Sequence, residues 1–174
     1  KGEKMKILVV VDMQNDFIDG ALGSVQAQGI VENVKNKIEH FDGKIIFTQD
    51  THSDDYLDTQ EGKNLPVKHC IKDTDGHKIN ASLNTKDCEI IEKPSFGSPV
   101  LIQRLLDIDK DKKIEQIVFV GLCTDICVIS NAMTVKTFLP EVRITVDSSC
   151  CAGVSEKSHN TALDAMRACQ IEII

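Results

Sequence analysis

The sequence lacks the features of a nucleic-acid-binding or membrane-spanning protein. Its 20 lysines and arginines are outnumbered by 27 aspartates and glutamates, which gives a formal net charge of −7 with no dense basic cluster. No apolar run is long enough to cross a bilayer, and the apolar run near the start of the chain is too short for a signal peptide. We therefore expect a cytoplasmic protein without nucleic-acid or membrane partners.

Recognised cysteine patterns are also missing. The seven cysteines are an odd number, and their spacing matches neither a disulfide framework nor a zinc finger. In a reducing compartment they would be free thiols, most of them buried. Five are expected to be structural, namely Cys70, Cys88, Cys150, Cys151 and Cys169.

Strand-like and helix-like segments alternate along the chain, whose 174 residues fit a single domain. Strands are predicted at about residues 7–11, 44–48, 88–92, 117–120, 142–146 and 171–174. Helices are predicted at about 30–40, 98–108, 124–139 and 155–168, with Ser98 and Ser155 as N-caps. This alternation predicts an α/β fold of three layers, in which helices cover both faces of a mostly parallel sheet. The polar excursion at about 50–86 is long enough to suggest that it builds a site.

Four chemically capable residues stand at or after the ends of four predicted strands. Asp12, Asp50 and Lys93 follow the first three strands, and Cys127 follows the fourth. Because ligands of parallel α/β sheets bind beyond the carboxyl ends of the strands, we predict one site there. We expect Gly121 to form a sharp turn that places Cys127 in the first turn of a helix, where the helix dipole favours the thiolate. The alternative is that Cys127 is a small buried apolar residue, as most cysteines are.

Asp12, Lys93 and Cys127 together suit acyl transfer through a thioester. Asp12 can accept the thiol proton and later return it to a leaving amine, and Lys93 can stabilise both negative charges. Backbone N–H groups near Cys127 would face the oxyanion of a tetrahedral intermediate. A structural Asp–Lys ion pair is the alternative.

A second group of residues suits a metal ion. Asp50 and His52 share a strand end, and Glu61 and His69 follow in the excursion. Two imidazoles with one or two carboxylates suit Zn²⁺, Mn²⁺ or Fe²⁺ better than Ca²⁺, which prefers oxygen ligands alone. The other histidines, His40, His77 and His159, are expected to be exposed to solvent.

Three segments resemble the signature blocks of the isochorismatase-like cysteine hydrolases. They are VDMQNDF at 11–17, EKPSF at 92–96 and GLCTDICV at 121–128. Their order and separation match as well, so the likeness covers essentially the whole chain. Within that superfamily, the series from Asp50 and His52 through Glu61 to His69 resembles the metal site of the nicotinamidases.

The resemblance implies a role for each of these positions. Asp12, Lys93 and Cys127 match the catalytic triad of the family, and the ligands of its metal ion match Asp50, His52, Glu61 and His69. Phe17 and Phe96 match aromatic positions that flank the pyridine ring in nicotinamidases. The peptide entering Thr124 corresponds to a non-proline cis bond, which would aim the amides of Cys123 and Cys127 into an oxyanion hole.

The activity implied by the resemblance is deamidation of nicotinamide to nicotinic acid and ammonia, a step of NAD salvage. One divalent ion, zinc before manganese or iron, would hold the pyridine nitrogen while Cys127 attacks the carboxamide. A homo-oligomer is also expected. Many nicotinamidases have a tryptophan shortly before the last metal histidine, whereas this chain has no tryptophan and Leu65 stands near that place. A different amide could therefore be preferred.

Other functions stay open at this point. Within the family, the substrate could contain another small C–N group, carbamoyl or ureido. Isochorismate hydrolysis is less favoured because vinyl-ether cleavage needs no thiol nucleophile. Outside catalysis, the chain could bind a metal or ligand, although a binder has no need of the triad. A thiol redox protein using Cys123 and Cys127 would have three intervening residues where two are common.

Overall fold

The computed structural model describes residues 4–174. The strands are β1 (Met5–Val11), β2 (Lys44–Asp50), β3 (Glu89–Lys93), β4 (Ile114–Leu122), β5 (Arg143–Ala152) and β6 (Glu172–Ile173). They form one parallel sheet in the order β3-β2-β1-β4-β5-β6. The strand order reverses between β1 and β4, and such a switch point is where open α/β sheets bind their ligands.

The helices are α1 (Asn15–Ile18), α2 (Val25–Gly29), α3 (Val31–Glu39), α4 (Gln60–Asn64), α5 (Pro99–Asp111), α6 (Ile129–Phe138) and α7 (Glu156–Ala168). A 3-10 turn at Tyr56–Asp58 and a π-helical turn at Thr124–Val128 complete the helical segments. Both predicted N-caps are confirmed, since the Ser98 side chain accepts from Leu101 N and the Ser155 side chain accepts from Ser158 N. Within residues 4–174, no helix is both long and apolar enough to cross a membrane.

The helices cover the sheet from both sides, and the alternation of side chains along β1 shows how. Ile7, Val9 and Val11 pack in one apolar cluster with α5, α6 and α7. Leu8 and Val10 point the other way, into a second cluster with α1, α2 and α3. Because both faces of the strand are buried, its sequence is a continuous apolar run. The three-layer parallel architecture predicted from the sequence is confirmed.

The excursion between β2 and β3 has little regular structure, as expected. It contains only the turn at Tyr56–Asp58 and the short helix α4. An isolated bridge from Gln14 to Ile79 attaches it to the segment after β1, and a second bridge, His52 to Ile71, pairs two parts of the excursion itself. The excursion therefore folds back over the sheet edge where the candidate residues lie.

Gly121 does not form the turn that was expected of it. It lies inside β4 with φ of 118°, paired with Val11 on one side and Cys151 on the other. A Cβ atom at this position would lie 2.1 Å from the Val11 carbonyl oxygen. Glycine is therefore needed for the close approach of two strands, and β4 continues through Leu122.

The structure places two predicted features after β4. The cis peptide bond joins Leu122 to Cys123, so it enters Cys123 and not Thr124 as the family resemblance implied. The helical segment begins at Thr124, as predicted, and Cys127 lies in its first turn, which is π-helical and continues into α6.

Candidate active site

Lys93 lies at the centre of a buried cluster of charged groups at the ends of β1, β2 and β3. Its Nζ lies 2.6 Å from Asp12 Oδ2, 3.4 Å from Cys127 Sγ and 3.4 Å from Asp50 Oδ1. It also donates a hydrogen bond of 2.8 Å to the Ser95 carbonyl. The structure thus brings together Asp12, Lys93 and Cys127, and Asp50 joins this group to the candidate metal ligands.

Burial and the neighbouring charges set the protonation of this cluster. Burial raises the pKa of Cys127 well above its usual range, the Asp12 carboxylate raises it further, and Lys93 opposes them. Burial therefore favours the protonated thiol and opposes the helix start, which favours the thiolate. Burial would lower the pKa of Lys93, but Asp12 and Cys127 raise it overall, so Lys93 stays protonated.

Asp12 is arranged to accept a proton. Burial raises the pKa of the Asp12 carboxyl, and the attraction of Lys93 opposes this effect only in part. Its Oδ1 accepts a hydrogen bond of 2.7 Å from the hydroxyl of Thr48, a fully buried residue of β2. A raised carboxyl pKa makes a stronger base, which suits transfer of a thiol proton near neutral pH.

The four predicted metal ligands converge on one point. Asp50, His52, Glu61 and His69 each offer a ligand atom, and these atoms all lie within 4.8 Å of one another. His52 Nε2 lies 2.8 Å from Asp50 Oδ2, and His69 Nε2 lies 3.5 Å from the same oxygen. Both imidazole nitrogens lie 3.6 Å from Glu61 Oε1.

The surroundings orient these ligands. His69 Nδ1 lies 2.8 Å from the Val67 carbonyl, which leaves Nε2 to face the group. The ring of Tyr56 packs edge-on against His52 and His69 at centroid distances of 4.8 Å and 4.9 Å. Two imidazoles and two carboxylates, mostly buried and fixed from behind, are a donor set that fits zinc, manganese or iron.

Gln14 is a positioning residue that the sequence did not single out. Its fully buried amide donates to the carbonyls of Asp50 and His77, each at 2.8 Å, and accepts from Asp50 N at 2.7 Å. Gln49 donates to the same His77 carbonyl at 2.9 Å. Gln14 therefore fixes the backbone of Asp50, a candidate metal ligand, and attaches the excursion to it. A glutamine next to a buried strand end was the available signal.

Asn131 has a similar role behind Cys127. Its Nδ2 donates to the carbonyls of Cys127 at 2.8 Å and Phe96 at 3.1 Å, and its Oδ1 accepts from Ser98 N at 2.9 Å. It thereby joins the turn carrying Cys127 to the loop after β3. The sequence shows only an asparagine within a predicted helix, and its full burial is evident only in the structure.

Two histidines expected to be exposed are not. His77 is buried, with Nε2 2.9 Å from Thr51 Oγ1, and half-buried His159 has Nδ1 2.7 Å from Thr124 Oγ1. His40 is exposed, as expected. A polar segment shows no local pattern that tells which of its positions fold back onto the protein.

A cavity of about 420 Å³ opens over these groups. The predicted aromatic residues Phe17 and Phe96 both line it, together with Leu65. Asp50, Glu61 and His69 reach it from the candidate metal group, and Cys123 and Cys127 from the nucleophile turn. Among residues 4–174, no lysine or arginine lines the cavity. All residues predicted for the site therefore lie in or directly behind one pocket.

The fold and the site define a parallel α/β protein with a buried cysteine, aspartate and lysine beside a candidate divalent-metal group. Residues 6–174 match the family model described as the isochorismatase domain. The chain therefore belongs to the isochorismatase family.

Relatives of the chain include proteins named as nicotinamidases and pyrazinamidases. It is 26% identical to the nicotinamidase/pyrazinamidase of Mycobacterium tuberculosis, with 98% of each chain covered. It is 27% identical to the nicotinamidase of Schizosaccharomyces pombe, covering 96% of this chain and 91% of the relative. The crystal structure of the pyrazinamidase of Pyrococcus horikoshii in complex with zinc shares its fold, with a TM-score of 0.84, 23% identity and 98% of each chain covered.

Proposed function

We propose that the chain is a metal-dependent cysteine amidohydrolase that converts nicotinamide to nicotinic acid and ammonia in NAD salvage. It is a hydrolase of carbon–nitrogen amide bonds, and two curated relatives are named for nicotinamide. The observation that carries the proposal is the convergence of Asp12, Lys93 and Cys127 with a four-ligand group on one cavity. A cytoplasmic location and self-association stay predictions.

The first half of the reaction forms a thioester. Asp12 accepts the proton of Cys127 as Sγ attacks the carboxamide carbon and the C=O electrons move to oxygen. The backbone N–H groups of Cys123 and Cys127 stabilise that oxyanion. Lys93 keeps its charge throughout and balances the negative charge that passes between Asp12 and the thiol. The intermediate collapses, the C–N bond breaks, and Asp12 returns its proton to the departing ammonia.

The second half releases the acid. Water loses a proton to Asp12 and adds to the thioester carbonyl, and the C–S bond then breaks as Cys127 recovers its proton. Asp50, His52, Glu61 and His69 would hold a divalent ion, which supplies a Lewis-acid site for the ring nitrogen of the substrate. Phe17 and Phe96 supply apolar contacts on the cavity wall.

The lining of the cavity supports a neutral substrate. Apart from His69, its ionisable lining consists of the carboxyls Asp50 and Glu61 and the two thiols. A bound divalent ion would offset the charge of the two carboxylates, but among the described residues no lysine or arginine lines the wall to pair with the two carboxylates of a dianion such as isochorismate. Burial also raises the pKa of Cys123 to about 12, which disfavours the thiolate that a redox pair needs.

A second candidate is hydrolysis of another small neutral C–N substrate, such as a carbamoyl or ureido amide. It is favoured by Leu65, an aliphatic residue that lines the cavity and is 39% exposed. An aliphatic side chain gives less stacking to a heteroaromatic ring than an aromatic one would.

Ammonia release by the purified, zinc-loaded protein tests the proposal. We expect turnover of nicotinamide that a chelator abolishes and that Cys127→Ala removes, whereas Cys169→Ala, at an exposed cysteine, retains it. A panel containing pyrazinamide, carbamoyl and ureido amides would rank the substrates. Absence of nicotinamide turnover with activity on a ureido amide would select the second candidate. Activity that survives Cys127→Ala would refute the thioester mechanism.

A further inference from the structure

The turn that carries the nucleophile is held from behind by helix α7. Thr124 is the first residue of the π-helical turn, and Cys127 is the fourth. The Thr124 side chain is fully buried, and its Oγ1 lies 2.7 Å from Nδ1 of His159 in α7. This is the shortest side-chain contact that Thr124 makes, and it joins the nucleophile turn to an element that supplies no residue of the triad or metal group.

His159 also contacts the wall of the cavity. A Cβ atom added to Gly153 would lie 2.9 Å from the Cβ of His159, so the histidine packs directly on the backbone there. The next residue, Val154, donates its N–H to the Asp125 carboxylate at 3.2 Å. Gly153 and Val154 line the cavity, whereas His159 does not. His159 therefore contacts the turn through its imidazole and the wall through its Cα and Cβ, without lining the cavity itself.

The turn that carries Cys127 has no side-chain cap at its start. The Cys123 carbonyl accepts from Ile126 N at 3.1 Å and from Val128 N at 3.0 Å. Side chains of α6 hold the later part of the turn, because Asn131 donates to the Cys127 carbonyl at 2.8 Å and Ser130 donates to the Ile126 carbonyl at 2.6 Å.

Helix α7 holds the first residue of the turn through the contact between His159 and Thr124. This helix begins with a capping box, in which Ser155 and Ser158 bond each other's backbone N–H at 3.1 Å. Leu163 and Met166 anchor it in the core.

We propose that His159 is a positioning residue for the reaction and acts through the Thr124 hydroxyl. Their hydrogen bond fixes the rotation of the turn, so that Cys127 Sγ and the backbone N–H groups of Cys123 and Cys127 meet the same carbonyl. Catalysis depends on such alignment, because small displacements of the attacking atom are costly in rate. This proposal rests on the proposed function where kcat for nicotinamide is measured. The rate of Cys127 alkylation tests it without depending on that function.

Four variants and two matched controls test the proposal. The variants are His159→Leu, His159→Asn, Thr124→Val and the double variant Thr124→Val/His159→Leu. Asparagine places an amide near the position of Nδ1 and can keep the hydrogen bond, whereas leucine cannot. The controls are His40→Leu and Thr137→Val, at an exposed histidine of the α3 end and an exposed threonine of α6. For each protein, kcat and KM for nicotinamide, the rate of Cys127 alkylation by iodoacetamide and the unfolding temperature are measured.

We expect His159→Leu and Thr124→Val each to lower kcat roughly tenfold with KM within about twofold, because each removes one partly buried hydrogen bond. The double variant should lose no more than either single variant, because both remove the same contact. His159→Asn should recover most of kcat, and both controls should match the wild-type protein. A residue with only a structural role would lower the unfolding temperature without this selective fall in kcat.

Opposite results overturn the proposal. It fails if His159→Leu retains wild-type kcat, if asparagine is no better than leucine, or if the two single losses multiply in the double variant. If the wild-type protein does not hydrolyse nicotinamide, the proposed substrate is wrong. The rate of Cys127 alkylation then tests the positioning role of His159 by itself. Slower alkylation in His159→Leu than in His159→Asn, with Cys169 as the internal reference, supports the positioning role. Equal rates refute it.

Discussion

Lys93 Nζ lies 2.6 Å from Asp12 Oδ2, and neither side chain is exposed to solvent. Removal of one partner from such a pair leaves a buried charge without compensation, whereas removal of both does not. We therefore expect Lys93→Met to lower the free energy of unfolding by roughly 3 kcal/mol or more.

The double variant Asp12→Asn/Lys93→Met separates stability from catalysis. It should unfold at higher urea concentration than Lys93→Met alone, because Asp12 no longer carries a buried charge and Asp50 keeps His52 as a partner. Neither protein should release ammonia from nicotinamide. Recovery of activity together with stability would show that the pair is structural only, which was the alternative reading of the sequence.

Gly121 gives a prediction about the sheet beneath the site. Gly121→Ala would place a Cβ 2.1 Å from the Val11 carbonyl oxygen and would force a positive φ of 118° on alanine. We expect a loss of more than about 2 kcal/mol in stability, since neither strand can move freely. Gly29→Ala is the matched control, because its added Cβ meets nothing within 4 Å. Chemical denaturation should leave the control close to the wild-type protein or slightly more stable.

Gln14 should act on metal affinity without being a ligand. Gln14→Leu removes the bonds that fix the backbone of Asp50 and the His77 carbonyl. Loss of supporting residues behind metal ligands typically lowers affinity about 10- to 100-fold. Competition for zinc with a chromogenic chelator measures this, with Gln103→Leu at an exposed site as the control. Unchanged affinity would show that the ligands hold their geometry without Gln14.

Asp147, which lies away from the candidate site, should make the free energy of unfolding depend on pH. Burial would raise the pKa of this carboxyl, but hydrogen bonds from Lys37, at 2.6 Å, and Ser149 lower it overall. A folded-state pKa below the unfolded value contributes stability that is present above the unfolded pKa and lost as the pH falls through the folded one. The stability advantage of the wild-type protein over Asp147→Asn should therefore shrink between about pH 5 and pH 3. Urea denaturation at several pH values measures it, and an advantage that grows with acidity would contradict the assignment.

Much of the fold and the candidate site could be predicted from local patterns. The apolar runs were sufficient to locate β1 and β4, and the helical spacing of apolar residues was sufficient to locate α5 and α7. Each of these patterns is complete within one element. The strand-end rule then gathered Asp12, Asp50, Lys93 and Cys127, since parallel strands finish at a common edge. The motifs added His52, Glu61 and His69, which the structure brings to the same point.

Other features depend on neighbours that are distant in the sequence. The direction of the Cys127 pKa shift could not be read from the helix start, which is a local feature, because the burial that raises this pKa comes from the whole fold. His77 and His159 were judged exposed because their own segments are polar, although distant backbone and hydroxyl groups bury them. Gly121 was assigned to a turn because the sequence does not show its close approach to Val11, which lies on the neighbouring strand β1.

The sequence by itself determined the alternating α/β order and the strand ends, and it nominated the candidate triad and ligand residues, because hydrophobic periodicity and motifs are properties of consecutive residues. Only the tertiary structure decided that burial opposes ionisation of Cys127, that Gln14 holds Asp50 and Asn131 holds Cys127, and that His159 contacts the turn carrying Cys127. Distances between remote side chains set desolvation and Coulomb energies, and folding alone fixes those distances.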